Sequence, residues 1–361
     1  MIHYQYFCRR MKWKSLWEKI YNWELWPFKL RYALITPVWL WYCMRSGTPW
    51  FFTPSNPTIT FGGFEGEGKK EMYEQLPAHL YPKTIYIQPS LGFTDLLHTV
   101  KENDFAYPFI VKPDVGMKGL LFRKIDNDQE LEHYHSKVKV DYIIQELVDY
   151  PLEVSVFYYR YPDADRGVIS GFIQKDLMDV YGDGRSTLWE LILSHPKARH
   201  RIDEMRIKHE PYLENVVPNG ERYILTYAAN LNRGASFSDL KHLINDDLVT
   251  LFDEISKSTS FFYGRYDIKC ASLDDFLKGK NFTILEFNGS GAEPNHVYNT
   301  GYSLLGAYKV FLHHWKVLYE ISRINHLKGH SYWEFSKGWR FLKEAKKHLD
   351  LLEKSDTEIL V

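Results

Sequence analysis

The sequence predicts an α+β fold. Segments with period-two alternation recur between residues 83 and 175, where strands are expected. Two more strand-like stretches, 266–270 and 283–287, follow in the second half of the chain. Helical spacing dominates residues 1–50 and nearly everything beyond residue 302. A chain of 361 residues has room for two or three domains.

Composition narrows the function classes. A formal net charge of −1 gives no reason to expect a nucleic-acid partner. The three cysteines, Cys8, Cys43 and Cys270, are too far apart for a disulfide framework or a zinc pattern. A reducing, cytoplasmic location is expected. The apolar run over residues 32–44 is too short to span a bilayer, and Pro37 interrupts it. It reads as a core-facing helix. The alternative is a surface that meets a partner or a membrane interface, so peripheral membrane contact through the aromatic-rich N-terminal region stays open, as does a homodimer.

In chain order, Trp13, Leu16, Trp17 and Ile20 recur at helical spacing. Pro54, Ser55, Asn56 and Pro57 then form a turn cluster, and residues 58–61 read as a short extended piece. Residues 63–69 approach a phosphate-binding loop, but Lys70 stands where Ser or Thr is required and two acidic residues occupy the loop. A glycine-rich lead into a helix over 68–77 is the reading kept, with Lys69 or Lys70 near its start. Residues 83–88 read as a strand, 91–102 as a helix, and 109–111 as a strand ending at Lys112. Asp114 opens a loop with two glycines and Lys118. Residues 120–125 read as the next strand, and Asn127 or Asp128 caps a short helix.

Residues 152–175 read as a hairpin. Gly182, Asp183 and Gly184 form a tight turn, and Ser186 or Thr187 caps a helix over 188–194. Residues 195–210 are rich in His, Arg and Lys, which suits either a solvated surface or an acidic ligand. The loop at 232–236 carries a basic residue beside glycine. An amphipathic helix over 246–258 turns Leu248, Leu251, Phe252 and Ile255 to one side. The helix ending near 354 is expected to be more exposed than the one over 304–327.

Alternation along 283–288 puts Glu286 and Asn288 on one strand face. If the two late strands are neighbours, Asp267 joins them, giving three hard oxygen donors of the kind Mg²⁺ takes with nucleotide phosphates. Lys112, leaving a strand beside a glycine loop, is a reasonable phosphate ligand. Acidic residues facing solvent, and a surface hairpin, are the plain alternatives.

The order of these pieces resembles the ATP-grasp superfamily, the fold of D-alanine–D-alanine ligase, glutathione synthetase and the ATP-grasp module of cyanophycin synthetase. The resemblance rests on Phe-Ile-Val-Lys-Pro before the glycine loop, Gln145-Glu146, Glu153, Lys175, Arg265-x-Asp267, Glu286-x-Asn288 and the Gly-Asp-Gly-x-x-Thr turn, and covers roughly residues 105–295. It implies two α+β subdomains gripping a nucleotide, with an aromatic-rich pre-grasp region over 1–104, a small subdomain over 105–148, a large one over 149–300 and a helical extension over 301–361. It implies that Lys112 binds the phosphates, that Gly116, Lys118 and Gly119 belong to a small loop closing over them, that Glu146, Leu147 and Val148 line the adenine, that Glu153 hydrogen-bonds the ribose and that Lys175 approaches the adenine or the phosphates. Asp267, Glu286 and Asn288 would hold Mg²⁺, or Mn²⁺ in its place, and Arg265 would stabilise the transferred phosphoryl group.

The activity implied is a Mg-dependent carboxylate–amine ligase using ATP, with small-molecule carboxylate and amine substrates. A phosphotransferase without ligation and a non-catalytic scaffold of the same fold remain alternatives. The chain departs from the pattern after Asn288, where Glu293 is a candidate for recognising an amine and His296 is either catalytic or packed.

Overall fold

The structure is a computed structural model that describes residues 21–117, 119–226 and 234–360. Its fold is α+β. The expected helix around Trp13 and Trp17, and Lys118, lie outside the described residues, as do Asn232 and Arg233 of the loop at 232–236. Among the described residues no helix is long and apolar enough to cross a membrane.

The chain divides into two compact units. The larger holds Val38–Gln174, Asp239–His296 and Lys309–Val361. Its first sheet has the order β1 (Thr84–Ile87), β4 (Tyr142–Glu146), β2 (Phe109–Pro113), β3 (Arg123–Ile125). This sheet starts before residue 105, since β1 is its edge, paired antiparallel with β4. Val111, Ile125, Tyr142 and Ile144 on these strands pack with Leu96, Leu131 and Leu352 from three helices. The third strand is shorter than the sequence suggests, because Leu121 takes a positive φ of 57° and breaks the extended run.

The second sheet runs β11 (Phe282–Asn288), β10 (Tyr263–Cys270), β5 (Leu152–Tyr159), β6 (Val168–Asp176), β9 (Ser236–Asp239). One face is apolar: Val154, Val156, Tyr266, Ile268 and Phe287 meet Leu248, Phe252 and Ile255 of the helix Asp246–Thr259. Asn245 caps that helix by accepting from Leu248 N–H, which ties an orphan donor at its start. A third apolar cluster joins Trp50, Phe51, Phe52 and Phe61 to Phe157, Tyr263 and the helix Leu304–Leu327.

Residues 58–61 are not an extended piece. Thr60–Gly63 is a tight helical turn in which Phe61 itself has φ 53°, held because its ring is fully buried among aromatic neighbours. The last helix, Phe335–Leu360, is more exposed than Leu304–Leu327, as the sequence suggests, but it is anchored at one side. Leu352, Ser355 and Asp356 are buried, since the helix lies along the first sheet's core and reaches the third cluster through Phe341.

The smaller unit holds the N-terminal residues through Pro37, Lys175–Ser238 and Val297–Tyr308. In it, β7 (Met178–Tyr181) pairs antiparallel with β8 (Arg222–Thr226) over a core of Leu188, Ile192, Met205 and Leu225. The helix Leu188–Ser194 starts with the capping box its sequence announces, Thr187 and Glu190 each serving the other's backbone. Asp183 accepts from the N–H groups of Arg185 and Ser186, fixing the turn before it.

Candidate functional site

The site is built on the face of the second sheet opposite the Phe252 core. β10 and β11 are antiparallel neighbours, with Asp267 opposite Glu286 and Arg265 opposite Asn288. Four side chains expected to act together therefore share one sheet face. β5 adds Ser155 opposite Asp267, whose hydroxyl donates to Asp267 Oδ1 at 2.8 Å. Arg265 lies along the strand, with Nε 3.2 Å from Asp267 Oδ1, Nη2 3.4 Å from Oδ2 and Nη1 donating to the Glu293 carbonyl at 3.2 Å. Burial alone works against the guanidinium charge, but Asp267, Glu286 and Glu293 outweigh it and raise the Arg265 pKa.

Lys112 comes to this face from β2 of the first sheet. Burial pulls its ammonium down to about 7, Lys69 adds repulsion, and Glu286 and Glu153 pull the other way. That balance places Lys112 within electrostatic reach of both carboxylates and of a second lysine. Lys69 is that lysine. It is buried, donates Nζ to the Asp114 carbonyl at 3.2 Å and stands 3.8 Å from Glu286 Oε1. Lys70 points elsewhere: it is exposed, 3.8 Å from Glu74 and over the Tyr86 ring.

The glycine-rich stretch before Lys69 is not a phosphate loop, yet it borders the same site. Backbone N–H groups of Ser290 and Gly291 donate to the carbonyls of Gly62 and Gly63 at 3.0 Å. A Cβ on Gly63 would lie 2.8 Å from Gly289 Cα, so only glycine allows the turn after β11 to press on this loop. Glu67 is thereby held half-buried near Glu286. Burial raises its carboxyl to about 7, opposed by a backbone hydrogen bond; Glu286 adds to the rise and Lys69 resists it. Glu67 is the site residue that sequence reasoning missed. The two acidic residues that exclude a phosphate loop were its only signal.

The remaining candidates fall as follows. Gly116 leaves space for Lys69 Nζ, which is 3.4 Å from where a Cβ would sit. Gly119 has φ 69° and ends the same connection. Glu146 closes β4 with its N–H bound to the Lys83 carbonyl, Leu147 is exposed, and the Val148 carbonyl accepts from Lys269 at 3.0 Å. Glu153 pairs across with Lys269 on β5 and β10. Lys175 is buried near the end of β6, among the residues of the smaller unit. His296 is a packed histidine: its ring lies 5.8 Å from that of buried His314, and burial lowers its pKa to about 4.

The donors suit a divalent cation. Among the described residues no group of three His, Cys, Asp or Glu forms a cluster, so the set is two carboxylates and an amide. Asn288 Nδ2 is buried without a hydrogen-bond partner, an orphan that a ligand or the flipped amide oxygen on a cation would satisfy. Glu286 is 41% exposed and has oxygens to offer. Asp267 is engaged by Arg265 and Ser155, but a carboxylate has about four lone-pair directions and can serve a cation as well. Two carboxylates and retained waters match the habit of Mg²⁺.

No protein-family model and no curated protein matches the chain. Among solved structures it is similar to a bifunctional glutathione synthetase from Pasteurella multocida, at 13% identity and a TM-score of 0.34, over 64% of this chain and 33% of that one. The chain spans about a third of that protein's length. It is similar to D-alanine–D-alanine ligase from Bacillus anthracis, at 13% identity and a TM-score of 0.41, over 73% and 69% of the two chains. It is also similar to the ATP-grasp ligase PsnB complexed with minimal precursor, at 15% identity and a TM-score of 0.36, over 69% and 60%.

Proposed function

We propose that the chain is an ATP-dependent ligase that activates a substrate carboxylate as an acyl phosphate and joins it to an amine, with Mg²⁺ bound. The observation that carries this reading is the facing of Lys112 and Lys69 with the Arg265, Asp267, Glu286 and Asn288 face. Cations on one side and oxygen donors on the other are what a nucleotide triphosphate with its metal needs.

Asp267, Glu286 and Asn288 would hold the cation, which would supply Lewis-acid neutralisation of phosphate charge. Lys112 and Lys69 take the phosphate oxygens, and the bound anion holds Lys112 charged. Arg265 keeps its fork anchored on Asp267 and the Glu293 carbonyl, so it is oriented before the phosphoryl group develops charge. The backbone around Leu147 and the carboxylate of Glu153 are assigned to the adenine and ribose. Glu293, one strand-turn beyond Asn288, faces the amine.

The deciding experiment measures ADP release with Mg²⁺ across a panel of amino acids, peptides and other small carboxylates, with hydroxylamine present in parallel. Ligation predicts ADP release that depends on both a carboxylate and an amine, and a trapped hydroxamate. ADP release without hydroxamate or amide product points to a phosphotransferase. Failure of ATP with Mg²⁺ to raise the melting temperature would overturn the nucleotide site itself.

A further inference from the structure

The short helix Lys69–Tyr73 does more for the site than supply Lys69. Among the described residues β11 is the edge of its sheet, so the backbone groups on its outer side face no further strand. This helix takes two of them. The Tyr73 hydroxyl donates to the Leu285 carbonyl at 2.6 Å, and Phe287 N–H donates to the Met72 sulfur. The two bonds fall on either side of Glu286. The same helix puts Lys69 Nζ 3.8 Å from the Glu286 carboxylate. One short element therefore holds the backbone before and after Glu286 and also faces its side chain.

Leu285 is where β11 is held least by its neighbour. Asp267 stands opposite Glu286 and Ile268 opposite Ile284, so Leu285 is the extra residue of a bulge. A bulge re-aims the side chain beside it, and this one turns Glu286 away from the core that holds Ile284. The aim of Glu286 then depends on where the Leu285 peptide is held, and Tyr73 holds it. Tyr73 is itself fixed: it is buried, its ring stacks on Tyr81 at 4.7 Å, and its hydroxyl accepts from Gln145 Nε2 at 3.0 Å. A buried hydroxyl engaged on both sides is a rigid support.

We propose that Tyr73 is a positioning residue for the cation: its hydroxyl fixes the Leu285 bulge and so presets the Glu286 carboxylate. The role presupposes the nucleotide and cation reading given above. Outer contacts of this kind orient a metal's ligands, and losing one costs about tenfold to a hundredfold in affinity. Tyr73→Phe keeps the ring on Tyr81 and removes only the hydroxyl.

The test is calorimetric titration of the full chain with the ATP analogue adenylyl imidodiphosphate, once with Mg²⁺ and once with EDTA. The parent should bind the Mg²⁺ form more tightly. Tyr73→Phe should weaken binding of the Mg²⁺ form about tenfold. Gln145→Leu takes away the hydroxyl's other partner but leaves Leu285 bonded, and should stay within about twofold of the parent. Where Tyr73→Phe does not fold, Met72→Leu decides. It should weaken the Mg²⁺ form about threefold, since a thioether is the weaker clamp. A parent that binds no better with Mg²⁺ than with EDTA overturns the cation reading and this role with it. A parent that prefers Mg²⁺, beside a folded Tyr73→Phe or a deciding Met72→Leu of unchanged affinity, overturns the role of Tyr73 alone. So does an equal loss in Gln145→Leu.

Discussion

His348 Nε2 lies 2.7 Å from the carbonyl oxygen of Val115, joining the last helix to the connection between β2 and β3. Two turns further on, Asp356 accepts from Leu121 N–H and from Arg123, each at 2.8 Å. The helix therefore grips this connection at both ends. His348→Leu is expected to raise the KM for ATP about fivefold, the equivalent of one lost hydrogen bond of about 1 kcal/mol, with kcat within about twofold. His348→Gln keeps a donor and should restore most of the affinity. A fall in melting temperature with KM unchanged would show that the contact only holds the helix.

Glu286→Gln separates chemistry from folding. The side chain is 41% exposed and meets Lys69 at only 3.8 Å, so the melting temperature should stay near that of the parent. ATP turnover should drop by about a hundredfold or more, the scale of removing one preorganised charge from a phosphoryl-transfer site. Full activity in this variant would sink the metal assignment. Arg265→Ala is the less clean experiment, because it strands buried Asp267 and should cost about 3 kcal/mol of stability as well.

Glu67 makes stability depend on pH. Its carboxyl is raised to about 7 in the fold, above its ordinary value of 4.5, so the fold favours the neutral acid. Its contribution is fully present below pH 4.5 and is lost as pH climbs through 7. Glu67→Gln, always neutral, should therefore be more stable than the parent at pH 8 by about 2 kcal/mol, discounting for partial exposure, when divalent cations are left out. The gain should vanish as pH falls toward 4.5. Melting curves over this range test it, and a gain that persists in acid would assign the effect to packing.

Gly63→Ala tests whether the loop at 62–68 must touch the turn after β11. The added methyl meets Gly289 Cα at 2.8 Å, and φ is 70°. A loss of about 2 kcal/mol or more is expected from strain and overpacking, with a parallel loss of ATP affinity because Lys69 follows on the same segment. Unaltered stability would mean that the turn yields, and the ATP affinity would then report the loop alone.

Much of the site was legible because it lies on two adjacent strands. Period-two alternation put Glu286 and Asn288 on one face, with Asp267 joining them if the strands were neighbours, while Arg265 came only with the resemblance; capping rules narrowed the helix starts to Asn127 or Asp128 and Ser186 or Thr187, of which Asn127 and Thr187 are the caps. What depends on distant packing was not legible. Lys69 and Lys70 are adjacent, and only the helix start at Lys69 decides which one turns inward. The turn at Phe61 runs against local preference because its ring is sealed against Trp333, between the two C-terminal helices, and Phe341 of the last one. The grip of Phe335–Leu360 on the Val115 connection joins residues more than 230 apart, beyond any periodicity.

The register between β10 and β11 slips by one residue between Asp267 and Ile268, leaving Leu285 without a partner across the strand pair. Tyr73 takes up its carbonyl with a 2.6 Å hydrogen bond. Above the slip, Glu286 and Asn288 look into the cleft; below it, Ile284 faces the same way as Ile268, into the apolar core. In an unbroken strand Ile284 and Glu286 would share a side. The strand thus carries two reading frames spliced at Leu285, one spelling the core and the other the chemistry. Deleting that one residue would close the ladder with Ile284 still facing the core and Glu286 still facing the cleft, and would remove the carbonyl that Tyr73 binds.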